Sequence, residues 1–161
     1  MKHRALFAAI LALVLLGLSA CRKKDAAPER IFQVGEASDI VTNTEPGISL
    51  SILASDASSA TYRIVNETGR ELLTDHMQVY FLQVRQDEAW HFIDVGNVKW
   101  ASTSEAYRVK DGETREVETS WENTYGPLPA GTYRLVKSFF TNTFRDKFIL
   151  SAEFTVAPTS H

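Results

Sequence analysis

His76 and His91, the acidic pairs Asp87-Glu88 and Glu116-Val117-Glu118, and the lone thiol of Cys21 are the side chains with which proton transfer, metal binding or covalent chemistry would begin here. The two histidines stand far apart, with no cysteine or regular carboxylate spacing beside them. They read as solvated or turn residues rather than a metal set. A glycosidase needs two carboxylates converging across one bond. Asp87-Glu88 falls in an expected hairpin, and Glu116 and Glu118 alternate outward from an expected strand, as solvated residues do. No serine sits in Gly-x-Ser-x-Gly or Ser-x-x-Lys, so no activated nucleophile can be placed. The expectation is an absence of catalytic residues, of a metal and of any cofactor.

Cys21 stands in a different setting. Lys2, His3 and Arg4 precede an apolar run from Ala5 to Leu16 that continues through Gly17 and Leu18. Crossing about 30 Å of hydrocarbon takes about 20 apolar residues. This run is shorter and ends in small residues, as a cleaved secretion signal does. At its end Leu18-Ser19-Ala20-Cys21 resembles the bacterial lipobox, an aliphatic residue and two small ones before the cysteine that receives diacylglycerol. The resemblance implies a bacterial lipoprotein, cleaved between Ala20 and Cys21 and acylated on the new amino group of Cys21. Two or more chains, at about 0.8 kcal/mol per buried CH₂, hold such a protein stably at a membrane. In a Gram-negative host, Arg22 in place of the Asp that signals inner-membrane retention favours the outer membrane.

Loss of residues 1–20 removes Lys2 and Arg4, leaving 15 basic against 20 acidic residues and a formal charge of −5. Nucleic acid is therefore not an expected partner. With one cysteine in the chain no internal disulfide can form, and the domain must rely on its core. Arg22-Lys23-Lys24-Asp25-Ala26-Ala27-Pro28-Glu29-Arg30 has nothing to bury and reads as a tether. Residues 21–45 are assigned to the lipidated N-terminus and tether, although whether Ile31 to Glu45 packs on the domain stays open.

From there on the periodicity is that of strands, not helices. Ile48, Leu50 and Ile52 alternate with Ser49 and Ser51 after Pro46-Gly47. Ser59 to Val65, Met77 to Arg85, Trp90 to Ile93, Ala106 to Val109, Arg115 to Trp121, Tyr133 to Val136 and Phe148 to Val156 follow, separated by polar or Gly-containing turns. Seven to eight short strands over about 110 residues predict an all-β antiparallel sandwich across residues 46–157, with a tail at 158–161.

The segment Tyr125-Gly126-Pro127-Leu128-Pro129-Ala130-Gly131-Thr132-Tyr133-Arg134 is the most specific piece. With the Asn66-Glu67-Thr68-Gly69 turn, Trp90, Asp111-Gly112-Glu113 and Trp121, it resembles a bacterial immunoglobulin-like domain family from Pro46 to Val156. The same Pro-Ala-Gly-Thr-Tyr segment and Trp are weakly similar to the intracellular proteinase inhibitor family, another immunoglobulin-like sandwich. The first resemblance implies a non-catalytic interaction domain displayed outside the cytoplasm, with an envelope protein or a polysaccharide as its partner. The second implies an alternative, a sandwich-type protease inhibitor at the envelope. A hydrolase with a scattered site is a third class.

Trp90, Trp100, Trp121, Tyr80, Tyr107, Tyr125 and Tyr133 would stack on sugars if they formed an exposed strip, but aromatic residues of a small sandwich mostly fill its core. Trp100, in an expected loop after Asn97-Val98-Lys99, is the possible contact residue. Asn66-Glu67-Thr68 fits a glycosylation acceptor, and reads as a turn.

Overall fold

The computed structural model describes residues 32–76, 79–95 and 106–158. Among them the order is β1 (Gln33–Ala37), β2 (Ile48–Ser55), β3 (Ser59–Asn66), β4 (Leu72–Thr74), β5 (Phe81–Gln86), β6 (Ala89–Asp94), β7 (Tyr107–Val109), β8 (Thr114–Ser120), the single helical turn α1 (Glu122–Tyr125), β9 (Gly131–Thr141) and β10 (Lys147–Val156). The expected all-β antiparallel sandwich is what forms: β2, β3 and β8 make one sheet and the other seven strands make the second.

The alternation that marked these strands explains which face each one buries. In β3, Ala60, Tyr62 and Ile64 are buried while Ser59, Thr61 and Arg63 are not. In β10, Phe148, Leu150, Ala152, Phe154 and Val156 line the same interior. Each large apolar side chain removed from water contributes about 1.5–3 kcal/mol. Tyr133, Leu135 and Phe139 of β9 meet them from the next strand.

β9 organises the large sheet. β10 pairs with it from Gly131 to Phe140. Along the other edge β5 pairs with Tyr133 to Val136 and β4 with Phe139 to Thr141. β4 and β5 are thus two pieces opposite one long strand, with the pairing interrupted between Thr74 and Phe81. β7 extends the sheet beside β4, and β6 and β1 extend it beside β5.

The segment before Pro46 packs on the sandwich from Phe32 onward, which answers the question the sequence left open. β1 pairs with β6, and Ser38 donates its N–H to the Trp90 carbonyl at 2.7 Å. The chain then crosses the outer face of the large sheet. Arg134 reaches the Ile40 carbonyl at 3.5 Å. Asn43 ends the crossing by capping β10: its N–H donates to Ile149 O at 2.8 Å, and its Oδ1 accepts from Ser151 N at 2.9 Å. A free sheet edge left bare invites pairing with another chain. Asn43 closes part of this one.

Candidate interaction surface

The groups that might have done acid–base chemistry are dispersed and engaged in structure. Asp87 and Glu88 both adopt positive φ, 49° and 67°, as the two-residue turn between β5 and β6, and Glu88 pairs with Arg85. That geometry suits the right-handed twist of the flanking strands. Glu116 accepts from Arg63 at 2.6 Å across neighbouring strands on the outer face of the small sheet. His91 faces the Gly35 carbonyl at 3.2 Å, whereas His76, in the excursion after β4, packs edge-on against the Tyr107 ring. Among the described residues no three His, Cys, Asp or Glu side chains gather as a ligand set.

Most of the aromatic residues that the sequence weighed as a sugar-binding strip lie in the core. Trp121 is fully buried and donates its indole N–H to Ala57 O at 2.8 Å. Its ring stacks on Phe154 at 5.3 Å, and Phe154 stacks on Tyr133 at 5.6 Å. The Tyr133 hydroxyl donates to the Pro129 carbonyl four residues back at 2.7 Å, fastening the Gly126 to Gly131 segment to β9. Tyr80 and Tyr125 are buried as well, and Trp90 is half-buried with the Arg134 guanidinium 4.6 Å above its ring. Burial pushes the phenols of Tyr62, Tyr80 and Tyr125 above their ordinary range and that of Tyr133 to about 12.

Asn66 is fully buried at the end of β3 and is structural, as the turn reading expected. Its Nδ2 donates to the carbonyls of Arg70 and Val109, each at 2.9 Å, and of Lys110 at 3.1 Å. Its Oδ1 accepts from Thr68 N and Thr68 Oγ1. One amide ties three chain segments together at this end of the sandwich.

Two carboxylates are held below the usual range in turns. The Ser58 N–H, first, and the Ser59 hydroxyl stabilise ionised Asp56, and the Lys110 N–H and Arg115 do the same for Glu113. Lys137 is the opposite case, a cation at an inward position of β9 and only 1% exposed. Burial lowers its ammonium to about 8. Its Nζ donates to three carbonyls of the β4–β5 excursion: Val79 at 2.8 Å, His76 at 3.0 Å and Asp75 at 3.3 Å.

Among the described residues, three outward-facing features stand out. The first is a shallow hydroxyl-lined depression on the small sheet, bordered by Ser55, Ser59, Thr61, Glu118 and Ser120. A second is an apolar recess of about 340 Å³ beside the β4–β5 break, bordered by Val79, Phe81, Phe92, Val95 and Val136. The third is the β9–β10 hairpin, which presents Phe144 at 59% exposure with φ of 55°. The sequence offered a hint of this hairpin in Thr141-Asn142-Thr143, a polar cluster before an aromatic residue. No strand alternation was visible there, because β9 and β10 continue past the positions where periodicity was clear.

Cys21, Leu18, Ser19 and Ala20, expected as lipid site and lipobox, and Trp100, expected as a contact residue, lie outside the described residues. No curated protein matches the chain. Residues 44–155 match a family model described as a bacterial Ig-like domain, a span that holds β2 to β9 and all but the last residue of β10 and leaves out β1 and the crossing segment up to Asn43.

Proposed function

The chain belongs to the bacterial Ig-like domain family, and from that premise we propose that it is a lipid-anchored cell-envelope protein displaying a non-catalytic interaction domain. The lipid on Cys21 holds it at the membrane, outside the cytoplasm, and the sandwich meets an envelope protein or a polysaccharide. The observation that carries this reading is the division of the chain. A basic and then apolar segment ends at the only cysteine, ten further residues separate Cys21 from Phe32, and the folded body follows. That order supports secretion first, lipid attachment next and display of the domain beyond a short tether.

The dispersal of His76, His91, Asp87-Glu88 and Glu116-Glu118 supports a binding rather than a catalytic role, since acid–base catalysis requires such groups to converge on one reacting atom. Sandwiches of this class present loops at both ends of their sheets, where contacts are made without disturbing the core. The test is the intact mass of the protein made in a bacterial host with lipoprotein processing. Loss of residues 1–20 with a gain of acyl mass, both abolished by Cys21→Ala, is the expected result. An unmodified Cys21 on a chain cleaved elsewhere would overturn the anchor.

A further inference from the structure

The β9–β10 hairpin carries the outlier of the described surface. Phe144 is large, apolar and mostly exposed, and it occupies the left-handed backbone region, which costs a bulky residue energy that glycine or asparagine avoids. Nothing in the turn demands a phenylalanine. The turn itself closes through polar atoms: Phe144 N donates to Thr141 O at 2.8 Å, Thr141 N donates to Asp146 O at 3.1 Å, and Asp146 N reaches Thr141 Oγ1 at 3.4 Å. The Phe144 ring lies 5.8 Å from that of Phe140, and Lys147 Nζ lies 5.9 Å from the Phe140 centroid. Arg145 and Lys147 are exposed, and so is Asp146, so the tip carries a charge of +1 on a chain that is otherwise acidic.

We propose that this tip, Phe144 and Phe140 flanked by Arg145 and Lys147, docks on the anionic lipid surface beside the anchored Cys21. The inference rests on the anchor proposed above. Aromatic rings with basic neighbours suit the boundary between headgroups and acyl chains, where the ring is buried and the cation meets phosphate. A protein partner fits less well: a stable interface takes about 800 Å² from each side, whereas one large aromatic ring supplies about 150–250 Å². A lipid surface needs no matching shape. Distance allows it too. The ten residues between Cys21 and Phe32 reach about 35 Å when extended, much the same as the roughly 36 Å spanned by eleven-residue β9. A tether that long lets either end of the sandwich touch the membrane.

The test uses the chain from Cys21 onward, which contains every described strand, coupled through its only thiol to a maleimide lipid. The vesicles are equimolar phosphatidylglycerol and phosphatidylcholine. Coupling fixes the anchor by chemistry, so a failure of natural acylation, read from intact mass, stays separate from a failure of docking. Amide hydrogen exchange over residues 142–147 is expected to slow about tenfold on these vesicles relative to the uncoupled chain, an energy of about 1.4 kcal/mol. On pure phosphatidylcholine the slowing should be smaller. Phe144→Asn, whose side chain tolerates the left-handed region, should lose the protection while thermal stability holds or rises. Equal exchange on and off vesicles, equal protection on both lipid compositions, or protection that survives Phe144→Asn would each overturn the proposal.

Discussion

The Lys137 ammonium donates to the Val79 carbonyl at 2.8 Å from inside the sandwich. The relationship follows from the break between β4 and β5. A strand that leaves its partner exposes backbone carbonyls, and buried carbonyls must be satisfied. The pairing with β9 stops at Thr74 and resumes at Phe81, so Lys137 and Ser138 are paired with β10 but lack a strand on the β4–β5 side. The lysine chain replaces the missing ladder with three hydrogen bonds, and Thr74 Oγ1 adds one more to Ser138 O at 2.8 Å. Hydrogen bonds hold the ammonium, yet desolvation still governs its titration.

Stability should therefore rise with pH on the alkaline side. The Lys137 pKa is about 8 in the folded chain against 10.5 for an ordinary lysine. Between those values the unfolded chain binds a proton that the folded chain has released, so unfolding becomes harder as pH climbs, by up to about 3 kcal/mol. Above about pH 10 the sign reverses, because the buried tyrosines keep protons that they lose on unfolding. Urea midpoints at pH 7, 9 and 11 should trace a maximum near the middle value, and Lys137→Met should flatten the rise between the first two.

Asn66→Ala should cost about 2–4 kcal/mol, since it removes the buried bond to the Val109 carbonyl, the part-buried bonds to the Arg70 and Lys110 carbonyls, and the acceptor of the two Thr68 donors at once. Glu67→Ala, one residue on and exposed, should stay within about 0.5 kcal/mol. Urea unfolding of the two variants at equal m-value makes the comparison.

Gly47 and Gly69 share a positive φ but not the same surroundings. A Cβ on Gly47 would stand 2.9 Å from the Glu67 carbonyl oxygen, whereas nothing lies within 4 Å of one on Gly69. Gly69→Ala should lose about 1–2 kcal/mol from backbone strain alone. Gly47→Ala should lose more, because the Glu67 N–H bonded to Gly47 O holds the two turns together. A larger loss at Gly69 would contradict this geometry.

Tyr133→Phe keeps the ring on Phe154 and removes only the hydroxyl bonded to Pro129. The expected loss is about 1–2 kcal/mol. If the segment from Gly126 to Gly131 depends on this bond, limited proteolysis should cut there faster in the variant.

The sequence revealed the sandwich because β2, β3 and β8 alternate between a more buried and a wetter face, and because the apolar residues Phe148, Leu150, Ala152, Phe154 and Val156 fall on every second position of β10. It hid β4, since Leu72-Leu73-Thr74 is three residues long and buried throughout between β9 and β7, leaving no alternation to read. It hid β1 for the opposite reason, as Gln33–Ala37 is largely exposed and becomes a strand through its pairing with β6. Lys137 interrupted the apolar pattern of β9, and only the three carbonyls beneath it explain why a cation occupies a core position. Phe144 gave little warning, because exposure and a left-handed backbone are properties of the folded hairpin.

The most direct test of the lipid-anchored reading is fractionation of host cells expressing the parent chain beside Cys21→Ala, with membranes washed in alkaline carbonate. The account predicts that the parent stays in the washed membrane pellet and the variant is recovered in the soluble fraction. Both chains in the soluble fraction, or both retained in the pellet, would contradict a lipid anchor at Cys21.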